Sequence, residues 1–454
     1  MRKFAFLMIV LVLVAASAGG AEKFDPAARA AAIAPFIDEQ TLVIVRIDMT
    51  KLDPAAIAKQ FLAYAKSSGM AGEDLKDFEK GIPAVQKVGT EWIEAFGKAG
   101  GKDLYMVVSL GYPLREPLFW VAPLGEGGDA KVIGALLVSG KADGGTSRPG
   151  RHPKPFFPCA RSSATLHKAV CAAPASTLEA LRELRPHPRP NLVKAFAAAG
   201  DTALQALLLP TDDTRRVIEE TLPQLPEELG GGPSTAVTRG GLWAAAGVSA
   251  PPKLSLRLTI QSKDAESAKA LRGVIQNTFK TLGEQRDVEE FLPAFDKLAA
   301  ALTPEAVGDR LRLTLSGKQM DPLVETLGRT LVQARRQAKR AVSASHISGI
   351  LKAVYMYAAE NKDQWPPDLS ALKRHLGREW KKMLTNPLRP ELEVGYVYVR
   401  PAAKTTDVKD PAGTVVLYEA HEKWGEGINV GFADGHVSRM TDQAKFKELL
   451  KKGK

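Results

Sequence analysis

Cysteine is scarce in this chain: Cys159 and Cys171 are the only two among 454 residues. That excludes a fold stapled by several disulfides and a zinc site built from cysteine clusters. Two thiols permit one bridge in an oxidising compartment, or remain as two separate half-buried groups. Motifs that carry common chemistries are missing as well. There is no Gly-x-Ser-x-Gly, no His-Glu-x-x-His and no phosphate-binding glycine loop followed by Lys-Ser/Thr. No catalytic or cofactor-binding residue is therefore assigned. No apolar run reaches the 20 or so residues that a membrane-spanning helix needs.

The longest apolar run, Phe4–Ala16, has 13 residues and follows Arg2 and Lys3. Ala16-Ser17-Ala18 fits the small-residue cleavage rule, and Gly19-Gly20-Ala21 offers a second cut before Glu22. Residues 1–21 read as a secretory signal, which places the mature chain in the periplasm or outside the cell. The formal charge is +11, and removing Arg2 and Lys3 leaves +9. Spread over so long a chain, that excess concerns solubility. It allows peripheral contact with anionic lipid or envelope polymers and does not point to nucleic acid.

The rest is organised into elements of mixed type. Residues 41–48 (TLVIVRID) read as a strand, 54–68 and 76–97 as helices, and 104–111 with 118–124 as a strand pair. Residues 131–140 fit helix or strand. Residues 141–158 are Gly/Pro-rich loop, 166–174 a strand, and a helix starts at Ser176. The order recurs downstream: strand 203–209, helix 212–222, a Pro/Gly connector, strands 241–249 and 253–262, helix 265–282 and strand 310–317. In 253–262 Leu254, Leu256, Leu258 and Ile260 alternate with Ser255, Arg257, Thr259 and Gln261, the period of a half-buried antiparallel strand. The recurrence suggests two α+β lobes, 22–190 and 191–320, related by duplication.

Asp321-Pro322 then opens a long helix, with Asp as the cap and Pro in the first position. Leu323, Leu327, Leu331, Ala334, Ala338 and Val342 mark one face, and Ile347, Ile350, Leu351, Val354 and Ala358 resume it. Ser343, Ser345, Ser348 and Gly349 weaken the middle and allow a kink or break there, whereas a helix unbroken to Asn361 would be about 60 Å long. The stretch divides into a linking helix 321–342 and a terminal module 343–454, and Trp365-Pro366-Pro367 ends the helix.

Three stretches of that module carry a resemblance: LKAVYMYAAENKDQWPPDL (351–369), DPAGTVVLYEA (410–420) and NVGFADGHV (429–437). Together they resemble the globular head of bacterial pseudopilins, the type II secretion and type IV pilin-like subunits, in the group closed by an F-A-D-G-H hairpin. The match covers about a quarter of the chain. It implies a long helix laid across a small antiparallel sheet, outside the cytoplasm, and a role in assembly or display. The departures matter. Pilin-like subunits carry a prepilin leader and a hydrophobic stem with a Glu near its start. Here the leader is an ordinary signal, and the segment before the head holds Arg329, Arg335, Arg336, Lys339 and Arg340. Such a segment cannot sit in hydrocarbon.

Asp434-Gly435 reads as a two-residue hairpin turn. Glu419, His421, Asp434 and His436 are the candidates for a metal or acid/base site. Glu419 with Glu422 and Glu426 offers oxygens for calcium, as in some pseudopilin heads. Tyr355, Tyr357 and Trp365 read as core, and Arg329 to Arg340 as a solvated helix face. The expectation is an α+β protein: an exported, non-enzymatic envelope protein acting through protein partners. The alternatives are a secreted binding protein or hydrolase with its site between the two lobes, and a calcium-stabilised adhesive module.

Overall fold

The run Thr41–Asp48 becomes β1, the central strand of a ten-stranded sheet. Its apolar residues are near-continuous because both of its faces are covered. The structure, a computed structural model, describes residues 24–67, 70, 72–110, 117–140, 157, 159–251, 253–285, 288, 292, 295–421, 424, 425 and 427–452. The expected signal segment 1–21 and nearly all of the expected loop 141–158 lie outside these. Two compact units divide the chain, up to Thr330 and from Leu331.

In the first unit the helices α1 (Pro26–Ile33), α2 (Pro54–Ser67), α3 (Gly72–Lys98), α4 (Ala130–Ser139) and α5 (Ala175–Arg182) accompany β1, β2 (Asp103–Ser109), β3 (Leu118–Pro123), β4 (Ser162–Leu166) and β5 (Ala169–Ala173). The second half carries α6 (Asn191–Ala199), β6 (Leu204–Leu208), α7 (Asp212–Thr221), α8 (Thr235–Gly240), β7 (Trp243–Ser249), β8 (Ser255–Gln261), α9 (Ala265–Gly283), α10 (Phe295–Leu302), β9 (Glu305–Val307) and β10 (Arg310–Ser316). Outward from the centre the strand order is β1-β2-β3-β5-β4 on one side and β6-β7-β8-β10-β9 on the other. The chain order also matches: helix, strand, helices, two strands, helix, hairpin. β1 and β6 pair antiparallel with Val45 opposite Ala206, flanked by Val43 opposite Leu208 and Ile47 opposite Leu204. The strand order is thus symmetric about the β1–β6 pair, with two helices rather than one before the terminal hairpin of the second half.

This corrects the expected boundary at 190/191. The two lobes are halves of one sheet, and a closed ladder occupies the place where a cleft between them would open. On one face Val45, Met106 and Trp120 pack with Trp92 and Phe96 of α3 and Leu136 of α4. On the other, Ile44, Tyr105 and Phe119 pack with Ile33 of α1, Leu178 of α5 and Phe196 of α6. Residues 131–140, ambiguous in sequence, are helix, capped by Asp129 and ended by Gly140 in the left-handed region. Cys159 and Cys171 are not bridged and pack in cores on opposite faces of the sheet.

Helix α11 runs unbroken from Asp321 to Glu360, 40 residues or about 60 Å. Of the two alternatives left by Ser343 to Gly349, the unbroken helix is the one formed. The cap is upstream of Asp321: Ser316 and Gln319 form a capping box on the 3-10 turn Gly317–Met320 that leads into the helix. The helix also stops before Trp365-Pro366-Pro367, where Lys362 and Asp363 take left-handed conformations and Asp363 N–H donates to the Ala358 carbonyl.

The second unit holds β11 (Tyr396–Tyr398), β12 (Val415–Glu419), β13 (Ile428–Phe432) and β14 (Val437–Met440), antiparallel in that order, and α12 (Gln443–Lys452). Ile347, Leu351 and Val354 of α11 form a core with Tyr396, Val416 and Leu417. Gly431 permits the close approach, since a Cβ there would fall 2.6 Å from Ile347 Cγ2. Phe446 of α12 packs with Val415, Ile428, Val430 and Phe432 in a second core.

Candidate functional site

The most concentrated charge in the first unit lies at the centre of its sheet. Strand alternation turns Arg46 and Asp48 of β1, Asp103 of β2 and Gln205 of β6 to one face, toward α1. Arg46 lies 2.6 Å from Asp103 Oδ1 and 3.0 Å from Asp48 Oδ2, and donates to Gln205 Oε1 at 3.1 Å. Arg29 donates to the same Gln205 oxygen at 3.2 Å and to Asp201 at 2.6 Å. Lys51 bonds Asp201 and lies 3.6 Å from Asp48. Gln205 returns its amide to the Gly200 carbonyl at 2.7 Å. Three cations thus meet three carboxylates across the join of the two halves.

Burial pushes the Asp103 carboxyl up, with Arg46 only partly opposing. Burial works against the Arg46 cation, but Asp103 and Asp48 outweigh it and hold it charged. Asp201 is nearer solvent; its burial is outweighed by bonds from Lys51 and Arg29, and it titrates below the usual carboxylate range. Burial also raises the Tyr105 phenol. Each carboxylate is spent on a cation inside the cluster, so the arrangement is suited to locking β1, β2 and α1 to β6. Its residues escape sequence motifs. The available signal was a charged or amide residue interrupting an apolar strand: Arg46 in LVIVRID and Gln205 in ALQALLL.

The second unit has its own polar centre. Glu419 at the end of β12 is 4% exposed. It accepts from the Ser343 hydroxyl, from Asn429 N–H at 2.8 Å and from Asn429 Nδ2 at 3.0 Å. Asn429 also donates to the Arg340 carbonyl at 3.0 Å, and the Tyr396 hydroxyl sits 3.2 Å from Ser343 Oγ. Burial pushes the Tyr396 phenol up to about 12. The serine that looked like a helix-weakening residue is therefore a donor inside the core.

The four metal candidates are not brought together. Glu419 is engaged as described. The His421 ring packs at the edge of Trp424, centroids 5.4 Å apart, and its Nδ1 lies 3.2 Å from the Glu419 carbonyl. Asp434 and His436 belong to the turn beyond Phe432, which pairs with Val415 at the opposite end of β12 from Glu419. Four residues of strand separate the two places by roughly 13 Å. The Asp434 carboxylate accepts from His436 N–H at 3.0 Å and contacts His436 Nδ1 at 2.5 Å, while that ring stacks on Phe432. Glu422 and Glu426 lie outside the described residues. Among the described residues no group of three His, Cys, Asp or Glu is placed to hold a metal ion.

The turn itself differs from the two-residue form expected. Phe432 and His436 are the last paired residues, Gly435 N–H donates to the Phe432 carbonyl, and only Gly435 has positive φ, at 89°. Ala433-Asp434-Gly435 is a three-residue loop closed by a glycine bulge. The Tyr355 hydroxyl of α11 donates to the Ala433 carbonyl and ties the loop to the helix. Trp365 is buried and donates to the Ala403 carbonyl at 2.8 Å. Arg329 pairs with Glu325 one helical turn away at 2.6 Å. Comparison of the chain with protein-family models, with curated proteins and with solved structures finds no match in any of the three.

Proposed function

We propose that this is an exported, non-enzymatic envelope protein that acts through protein contacts, with residues 343–454 serving as a pseudopilin-like head. One observation carries the reading. A helix with an apolar stripe lies across a four-stranded antiparallel sheet closed by the Phe432–His436 hairpin, the arrangement that the resemblance implies.

Two further features support it. The part of α11 that precedes the head bears Arg329, Arg336 and Lys339 where a pilin stem would be greasy, and no helix among the described residues is long and apolar enough to cross a membrane. The polar centres of both units are consumed by internal bonds, which suits scaffolds that position surfaces. The head would then display a contact surface without polymerising through a buried stem.

Fractionation of the source cell with intact-mass measurement tests export. The mature chain should be recovered outside the cytoplasm, beginning at Gly19 or Glu22. Recovery in the cytoplasm with Met1 to Ala18 attached contradicts the reading.

A further inference from the structure

Between the end of α11 and β11 the chain makes three short helical turns: Lys373–Leu376, Gly377–Glu379 and Trp380–Leu384. Their inner side is fixed on the helix. Leu372 and Leu384 are buried in the core that includes Ile350 and Val354, and the Met383 methyl lies so near Gly349 that a Cβ there would meet it at 2.4 Å. Their outer side presents Lys373, Arg374, Arg378, Lys381 and Lys382, all exposed, with Glu379 as the only acid among residues 373–382. With Glu360 of α11, which contacts Arg374 and His375, five cations stand against two carboxylates and leave three net positive charges on this segment. The intramolecular pairs there are weak: Lys382 with Glu379 at 3.2 Å and Arg374 with Glu360 at 4.0 Å, both between well-exposed side chains. Among them sits the half-buried Trp380 indole, packed on one side against the core of Ile350, Leu372 and Leu384, with Lys373 Nζ 5.4 Å from its ring centre. An amphipathic indole flanked by long-stemmed cations is the side-chain set that settles at the headgroup level of a bilayer.

We propose that residues 373–382 form a membrane-surface contact that recognises the phosphodiester headgroups of anionic phospholipid. Flexible point charges on a fixed backbone suit a fluid plane of phosphates, and the indole supplies the apolar component that a soluble polyanion does not reward. The proposal is independent of export, because it is read on the purified chain.

The test is co-sedimentation of the full chain with phosphatidylcholine vesicles, with and without phosphatidylglycerol. Binding is expected only with phosphatidylglycerol and should weaken as salt shortens the screening length. Lys381→Gln and Lys382→Gln should each lower the partition coefficient about fivefold. The paired change Lys445→Gln and Lys447→Gln, on the exposed face of α12, should leave it unchanged. All four side chains are exposed, and an unaltered near-ultraviolet circular dichroism spectrum shows that any loss is not unfolding. Equal binding to pure phosphatidylcholine overturns the proposal, as does a loss no greater at 381 and 382 than at 445 and 447. Polyglutamate bound as tightly as the vesicles also overturns it and assigns the patch to an acidic polypeptide.

Discussion

At the scale of single residues, the buried polar groups divide into those that hold charge and those that resist it. Arg46 neutralises Asp48 and Asp103, so Arg46→Met removes the ion-pair partner of Asp103 at the sheet centre and leaves Asp48 with Lys51 at 3.6 Å and Arg29 at 4.0 Å. A loss of about 3–5 kcal/mol in unfolding free energy is expected from urea titration. A loss under about 1 kcal/mol would show that the network is not structural. Glu419→Gln replaces an oxygen that accepts with an NH2 that repels one of its donors, Ser343 or Asn429. It should cost about 1–3 kcal/mol.

Asp103 gives a pH test with a definite sign. Its folded-state pKa is raised by burial, so the folded chain holds that proton longer than the unfolded chain. Its contribution is therefore present below the unfolded value of about 3.9 and is lost as pH rises through the folded value. The stability of the parent relative to Asp103→Asn should fall as pH rises from about 4. A rise over the same range would mean that Arg46 outweighs burial. Asp201 has the opposite sign, because its folded value is lowered: its contribution is present above the unfolded value and is lost as pH falls through the folded value.

At the scale of elements, periodicity read well where one face was apolar and the other polar. Ser255–Gln261 formed the strand expected over 253–262, and the α11 stripe at Ile347, Leu351 and Val354 met the sheet as its spacing required. Elements were missed where the usual marker was replaced. β4 was missed, and it is joined to β5, which lies within the expected strand 166–174, by His167-Lys168, both with positive φ at 48° and 60°, in a tight turn without the Asn-Gly or Asp-Gly pair that normally signals one. α1 and α6 are short and alanine-rich, and the one clear signal passed over is Leu192, Ala195, Phe196 and Ala199 of α6 at helical spacing. At the closing hairpin, glycine rather than aspartate carries the left-handed conformation. Gly435→Ala meets no atom closer than 3.9 Å, so its cost is conformational only, about 1–2 kcal/mol by thermal melting. No change in melting would mean that the loop is not held in that form.

At the scale of the whole molecule, the recurring strand and helix order was legible, whereas the joining of both halves into one sheet was not. Register between β1 and β6 is set by pairing across 150 residues or more, and nothing local in TLVIVRID or ALQALLL names the partner. The polar centres were illegible for the same reason: Glu419 and Ser343, or Arg46 and Gln205, are distant in sequence. Because each unit has its own core, calorimetry should show two transitions, with Arg46→Met lowering one and Gly435→Ala lowering the other. A single transition lowered by both substitutions would show that the units unfold as one.

The central claim, that the terminal head works by contact with another envelope protein, is met most directly by photo-crosslinking in the source cell. A crosslinking residue is placed in turn at Met356, Val394 and Val397, which are 55%, 44% and 37% exposed. The account predicts that at least one position on the mature, exported chain gives a discrete adduct with the same envelope protein each time. An exported chain that yields no adduct at any of the three contradicts it.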